Sequence, residues 1–381
     1  MEIGSIYEIN PNCVENIVSG AESLDLPEVD KYGKKNTAFT SSGRAAIGLA
    51  LRSLETENSG IVKKCLMPVY MCDSVFIPFN QNGWQLCFYH VDKHMRADRE
   101  ELCRMLETEK PGILFIHSYY GVDTWKEIRP MLWEYQKSGL IIMEDVTQSY
   151  YLQVESKADY IVGSLRKWYA IPDGGFLTTN KMIHDECMVQ DDFVSKTRLQ
   201  MLMEKWNYLQ ERYSGKNKEK LCLDRLQEVK ENYLAVNREM EAYLDEEEII
   251  PRISEVSEKL LGEVKESECR KRRNENYRIL VEGLQNKNAL SLVFPAFEEI
   301  EAPLYLPVYM KDRDSLQQYL RQRDIYVPVL WPIGKENEYF IKEEEAYIFE
   351  HLAAIPIDQR YGKEQMQRII DEIEAYENSL G

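Results

Sequence analysis

Between Asn36 and about Thr179 the chain repeats one pattern, a short apolar run followed by a stretch with helical spacing of apolar positions. The runs are CLMP at Cys65, WQLCFYHV at Trp84, GILFIHSY at Gly112, LIIMED at Leu140, YIVGS at Tyr160 and GGFLTT at Gly174. Amphipathic stretches such as ADREELCRMLE and TWKEIRPMLWEYQKSG lie between them, the second closing on a glycine as helices often do. The crossovers are long enough to join mainly parallel strands. The pattern therefore predicts an α/β sheet with helices on its faces.

From about Ser195 to Arg273 the texture changes to long, charged helical sequence, interrupted at SGKN and stopped by Pro251. Such a segment is either a lid or interaction arm, or a pair of amphipathic helices packed on the main domain with solvated outer faces. From about Asn274 onward, LYLPVYM, DIYVPVLWP and HLAAIPI read as strands, and SLQQYLRQR and KEQMQRIIDEIEAYENSL as helices. We expect a large domain over residues 1–260, carrying the charged helical segment of about 195–260, and a smaller C-terminal α/β domain over 261–381.

With 381 residues, 44% of them hydrophobic, the chain can bury a large core. A net charge of -18 repels phosphate backbones and anionic membrane faces, so neither nucleic acid nor a membrane is an expected partner. Eight cysteines are scattered without a CxxC pair, several of them in apolar runs, a usage that suits a reducing cytoplasm. The N-terminal MEIGSIYEINPN lacks a basic region followed by an apolar stretch, and no run approaches the roughly eighteen apolar residues of a membrane span.

Three motifs carry candidate chemistry. In FTSSGRAAIGLALRSL, Ser41, Ser42 and Gly43 precede a helix beginning near Arg44, where exposed N–H groups and the positive end of the dipole can cradle a phosphate. The same residues also make an ordinary helix cap. In LIIMEDVTQSYY, Asp145 closes a buried strand and Gln148 follows three residues later. A carboxylate there lies where open α/β sheets bind ligands and needs a cationic partner such as a protonated pyridine nitrogen, unless it merely caps the next turn. In GSLRKWYAIPDGG, Ser164 stands three residues before Lys167, which is either a strand-end lysine in water or a nucleophile held in a cleft. A phosphate anchor, an acid for a ring nitrogen and a lysine, in that order, are what a pyridoxal 5'-phosphate site requires.

Taken together these stretches resemble the fold-type I pyridoxal-phosphate enzymes, and within them a divergent branch of the DegT/DnrJ/EryC1/StrS aminotransferases. SGRAAIGLAL is similar to that family's phosphate helix, MPVYMCDSVFIPF to its Pro-aromatic stretch, FYHVD to the strand ending in an acid (here Asp92), FIHSYYG to its His-x-Tyr-Gly turn and EDVTQS to its EDxAQ. LAAIPIDQRYGKEQMQRIIDEI and RDSLQQYLRQRDIYVPVLWP resemble its small-domain segments. The resemblance implies a large domain on a mainly parallel seven-stranded sheet and a smaller C-terminal α/β domain. It assigns Lys167 to the covalent link with the cofactor, Asp145 to the ring nitrogen, Gln148 to the ring face or phenolic oxygen, and Ser42, Gly43, Arg44 and Ser164 to the phosphate. It brings His117, Tyr70 and Cys72 to the cofactor. The aromatic expected to stack on the ring falls near Cys72, leaving Tyr70, Tyr119 or Tyr120 as substitutes. Two departures stand out: the tight Ser-x-x-Lys spacing, seen in amino-acid aminotransferases, and Arg44 in place of a small hydroxyl residue.

His90 and His94 have metal-like spacing in HVDKH, but on a strand end and with no third ligand apparent, so no metal is expected. The sequence thus points to transfer of an amino group from an amino-acid donor to a small-molecule carbonyl acceptor, which by resemblance is a keto sugar on a nucleotide. Other pyridoxal-phosphate chemistry on the same fold (amino-acid transamination, a lyase or a decarboxylase) and a non-catalytic relative are the alternatives. A cytoplasmic homodimer is expected, partly because Trp206, Tyr208, Tyr213, Tyr233 and Tyr243 sit among charges in the long helices.

Overall fold

In a computed structural model the chain is described over residues 1–19, 29–153, 156–214, 220–294 and 300–380. Seven strands form the main sheet: β1 (Asn36–Thr40), β2 (Lys64–Pro68), β3 (Gln85–Tyr89), β4 (Ile113–His117), β5 (Ile141–Asp145), β6 (Tyr160–Ser164) and β7 (Gly175–Thr179). Their spatial order is β1-β7-β6-β5-β4-β2-β3. Strands β2 to β6 run parallel, and β7 runs antiparallel to both its neighbours.

The apolar runs become strands because both faces of the sheet are covered. Side chains alternate between two cores as the pleat requires. Leu66, Leu114, Ile116, Ile142, Ile161 and Phe176 enter one core, while Cys65, Met67, Ile113, Phe115, Met143, Tyr160, Val162 and Leu177 enter the other. The second core also takes the Gly43–Glu57 helix, in which every residue from Ala45 to Leu51 is buried. Small residues on that helix permit the close approach, Gly48 facing Ile250 among them.

A two-residue ladder of β8 (Met188–Val189) and β9 (Ile250–Pro251) brings the chain back beside the sheet, where Ser41 N–H donates to Pro251 C=O at 3.0 Å. Between the two lie the Phe193–Tyr213 and Lys220–Glu246 helices, which pack on each other; residues 215–217 of the expected SGKN break lie outside the described residues. Tyr208 and Tyr233 are buried between the helices, whereas Tyr213 and Tyr243 are exposed.

The smaller C-terminal unit is an antiparallel sheet in the order β10 (Leu290–Leu292), β11 (Tyr305–Met310), β12 (Leu352–Pro356). The Glu266–Leu284, Arg313–Arg321 and Lys363–Ser379 helices share its core. Ile3 joins that core and bridges Ile325, so the N-terminal tip belongs to the C-terminal unit. DIYVPVLWP is not a strand. Apart from the Ile325 bridge it is irregular, because Pro328 and Pro332 lack the N–H groups a ladder needs. The strand β10 was not anticipated.

Candidate active site

Strand register brings the chemistry together. His117 lies opposite Asp145 across β4 and β5, Asp145 opposite Val162 across β5 and β6, and Ser164 opposite Gly175, which in turn pairs with Thr40. The C-terminal ends of β4, β5, β6 and β1 therefore meet the start of β7 along one edge. A cavity of about 440 Å³ opens there, within the range of small-molecule sites.

At one end, Ser42 caps the Gly43–Glu57 helix by accepting the Ala45 N–H at 3.1 Å. The first-turn N–H groups of Gly43 and Arg44 have no carbonyl of their own helix to reach and sit in the cavity wall beside Ser164. Gly175 makes the turn possible. A Cβ on it would stand 2.4 Å from the Ser42 carbonyl and 2.8 Å from the Gly43 nitrogen.

Asp145 is buried at the cavity floor, where Oδ1 accepts the Thr147 N–H at 2.8 Å. Its Oδ2 lies 3.2 Å from His117 Nδ1, close enough for ion pairing but not aligned as a hydrogen bond. Burial raises the Asp145 pKa, but the His117 and Thr147 contacts outweigh it and hold the carboxyl below its usual range. The preceding Glu144 points to the other face, where it pairs with Arg129 at 2.9 Å and accepts from Ser118 at 2.8 Å. Of two adjacent acids, one is spent on the core and one faces the cavity.

Thr147 ties the site together. Besides its bond to Asp145, its hydroxyl accepts the Ser164 N–H at 3.1 Å and its carbonyl accepts Trp168 Nε1–H at 2.8 Å. Trp168 anchors the turn that carries Lys167, which is half-buried and lines the cavity. Gln148 is buried beside it with Oε1 unpartnered among the described residues.

The expected residues Ser42, Gly43, Arg44, Cys72, His117, Asp145, Gln148, Ser164 and Lys167 all line the cavity. Tyr70 does not. Its ring lies in the layer behind, 4.8 Å from Trp331 and 5.2 Å from Phe349, and its carbonyl accepts the Tyr119 hydroxyl. Two other aromatic side chains, Tyr305 and Trp331, line the cavity. Tyr305 opens β11, and Trp331 comes from the irregular stretch expected to be a strand and sits edge-on to His117 at 5.5 Å. Thr147 was visible inside EDVTQS, but nothing in the sequence singled it out.

Sequence reasoning also missed Arg166, Asn237 and Glu241. The last two come from the Lys220–Glu246 helix, which forms part of the cavity wall. Glu241 gathers three guanidinium groups: Arg44 at 3.3 Å, Arg166 at 2.9 Å and Arg198. Arg44 also pairs with Asp245 at 2.7 Å. Burial raises the Glu241 pKa, but Arg166, Arg198 and Arg44 pull it down to about 2. Among the described residues no group of His, Cys, Asp and Glu is arranged to hold a metal ion. His90 instead faces Glu345 at 2.9 Å.

The architecture is that of the fold-type I aminotransferases. A sugar aminotransferase of Micromonospora echinospora superposes with a TM-score of 0.65 at 15% identity, over 98% of this chain and 100% of that one. A DegT DnrJ EryC1 StrS aminotransferase from Brucella abortus gives 0.62 at 14%, over 96% and 94%. A putative sugar aminotransferase of Streptococcus pneumoniae in its PLP form gives 0.64 at 14%, over the whole of both chains. No protein-family model and no curated protein sequence matches the chain. At these identities the likeness is one of fold.

Replacing Glu241 by Gln removes the anion shared by three arginines, so the folded state is expected to lose about 1–3 kcal/mol at neutral pH, less than for a fully buried pair. The Glu241 carboxyl normally titrates at 4.5 and is lowered to about 2 in the fold, so its stabilisation is present above 4.5 and lost as pH falls toward 2. Denaturation midpoints of parent and Glu241→Gln should therefore converge over that window. A constant gap across it would show that the carboxylate charge is not the stabilising element.

Proposed function

We propose that the chain is a pyridoxal-phosphate-dependent aminotransferase that moves an amino group from an amino acid to a carbonyl acceptor, the acceptor being a keto sugar carried on a nucleotide. The observation that carries this reading is the meeting of Lys167, Asp145 and the Ser42–Gly43–Ser164 wall in one cavity. The residues fit the cofactor. A helix start suits its phosphate, an ionised buried carboxylate suits its ring nitrogen, and an amine reaches the space between them. The sugar acceptor is supported by what the similar folds are named for, sugar aminotransferases.

In this reading the cofactor supplies an electron sink for the electron pair left when a proton leaves the substrate carbon. Lys167 Nζ would hold the cofactor covalently, and the same amine, when free, is the group placed to take and return that proton. Asp145 keeps the ring nitrogen protonated, and His117 and Thr147 keep Asp145 ionised. The backbone N–H groups of Gly43 and Arg44 and the Ser164 hydroxyl bind the phosphate. We also propose a homodimer, in keeping with the exposed Phe193–Tyr243 contact on the long helices, and a cytoplasmic setting, in which thiols such as that of Cys65, buried in β2, stay reduced.

Mixing the purified protein with single amino acids and following the cofactor's visible absorbance band tests the reading. Its loss to the amine form with one donor identifies that donor, and release of carbon dioxide or ammonia without it points to other chemistry. Lys167→Ala should abolish both the band and turnover. Borohydride reduction of the parent should fix the cofactor on the peptide containing Lys167, and label on a different lysine refutes the assignment.

Asp145→Asn should retain cofactor yet lower turnover on the order of a hundredfold or more, since an amide cannot hold the pyridinium proton. Turnover within about threefold of the parent would make Asp145 a turn cap only. Sedimentation at micromolar concentration should give the mass of two chains, and a fully active monomer would exclude the dimer.

A further inference from the structure

A second cavity, about 260 Å³, shares Arg166, Lys167, Asn237, Leu304 and Tyr305 with the first. Lys167 thus stands where the two meet. The distinctive group in the second cavity is Arg198, from the Phe193–Tyr213 helix, which is only 1% exposed. Its Nη2 meets Glu241, but its Nε and Nη1 have no hydrogen-bond partner among the described residues. Unfilled donors on a guanidinium buried this far are costly unless a ligand completes them.

Of the other arginines of this cavity, Arg273 donates to Gln359, to the Pro303 and Leu304 carbonyls and to Tyr7, and Arg360 pairs with Asp358 and Glu8. Arg166 pairs with Glu241 and leaves Nε without a hydrogen-bond partner among the described residues, against two such nitrogens on Arg198. Burial and the nearby Arg166 lower the Arg198 pKa to about 9, outweighing Glu241, so the cluster has room for more negative charge. Size narrows the ligand. The volume is below the roughly 300–1,000 Å³ of sites for drug-sized molecules, which favours a molecule of amino-acid size over a nucleotide-linked sugar. Met201 and Leu202 offer an apolar wall for a short carbon chain.

We propose that this cavity is the carboxylate subsite for the small amino acid that donates the amino group and for the 2-oxo acid that leaves, with Arg198 as its specificity-determining residue. Its role beside Lys167 rests on the aminotransferase reading, whereas carboxylate binding can be measured without turnover.

Calorimetric titration with glutarate, with 2-oxoglutarate and with uncharged glutaramide, with and without added pyridoxal phosphate, tests the subsite. The parent should bind the two acids and not the amide. Arg198→Ala should weaken acid binding by about tenfold to a hundredfold, the scale of a lost hydrogen bond to a charged group, and Arg198→Lys should recover part of it. Glu241 keeps Arg44 and Arg166 in these variants; if Arg198→Ala fails to fold, Arg198→Gln is titrated in its place. Unchanged acid affinity in the variant, or no acid binding by the parent, overturns the proposal. So does a variant that loses uridine diphosphate binding instead. A normal visible cofactor band with Arg198-independent acid binding defeats this inference alone, whereas acid binding that needs Arg198 in a protein that never forms the band supports the subsite and defeats the cofactor reading.

Discussion

The register of β4, β5 and β6 is the constraint on which the cleft depends. A parallel ladder shifted by one residue would turn every side chain to the opposite face. Here that shift would exchange Asp145 with Glu144, sending the cleft's acid toward Arg129 and the core's acid into the cavity. The buried Arg129–Glu144 pair resists such a shift, because separating it would leave a charge stranded in the core. The same register sets His117 beside Asp145 and Ser164 beside the glycine that admits the helix start.

Electrostatics of the cleft run against those of the whole molecule. The chain carries a net charge of -18, yet Arg44, Arg166, Lys167 and Arg198 gather at the junction of two cavities around Glu241. An acidic surface with a cationic cleft repels polyanions in general while the low-dielectric walls focus small acids inward. Glu241 keeps the arginines from repelling one another. It also couples the long helices to the site, since its carboxylate is anchored by groups from the Gly43–Glu57 helix, the lysine turn and the Phe193–Tyr213 helix together.

The charged segment between residues 195 and 273 takes the packed-helix form of its two sequence-level descriptions. Its helices pack on each other and on the domain, with Tyr208 and Tyr233 between them, and their other faces carry solvated charge. One stripe, however, supplies Arg198, Asn237 and Glu241 to the two cavities. A helix can do both because residues three or four apart share a face while those between them point elsewhere.

Local pattern alone marked β2 to β7 of the main sheet, the helix start at Ser42–Gly43 and the order of helix start, acid and lysine, because each of these is written in residues adjacent in the chain. Pattern and family resemblance together marked ten residues for the site, of which nine line the cavity. The exception is Tyr70, and most of the chain separates it from Tyr305 and Trp331, which line the cavity instead. Which aromatic rings face the cleft depends on how the C-terminal unit docks, and no short-range periodicity encodes that. Pro328 and Pro332 could have argued against a strand at DIYVPVLWP, but not shown where the resulting loop would lie. The partners of Arg44 were equally hidden. Glu241 looks like any solvated helix carboxylate in sequence, and only the folding of its helix against the cavity half-buries it and sets it among three guanidinium groups.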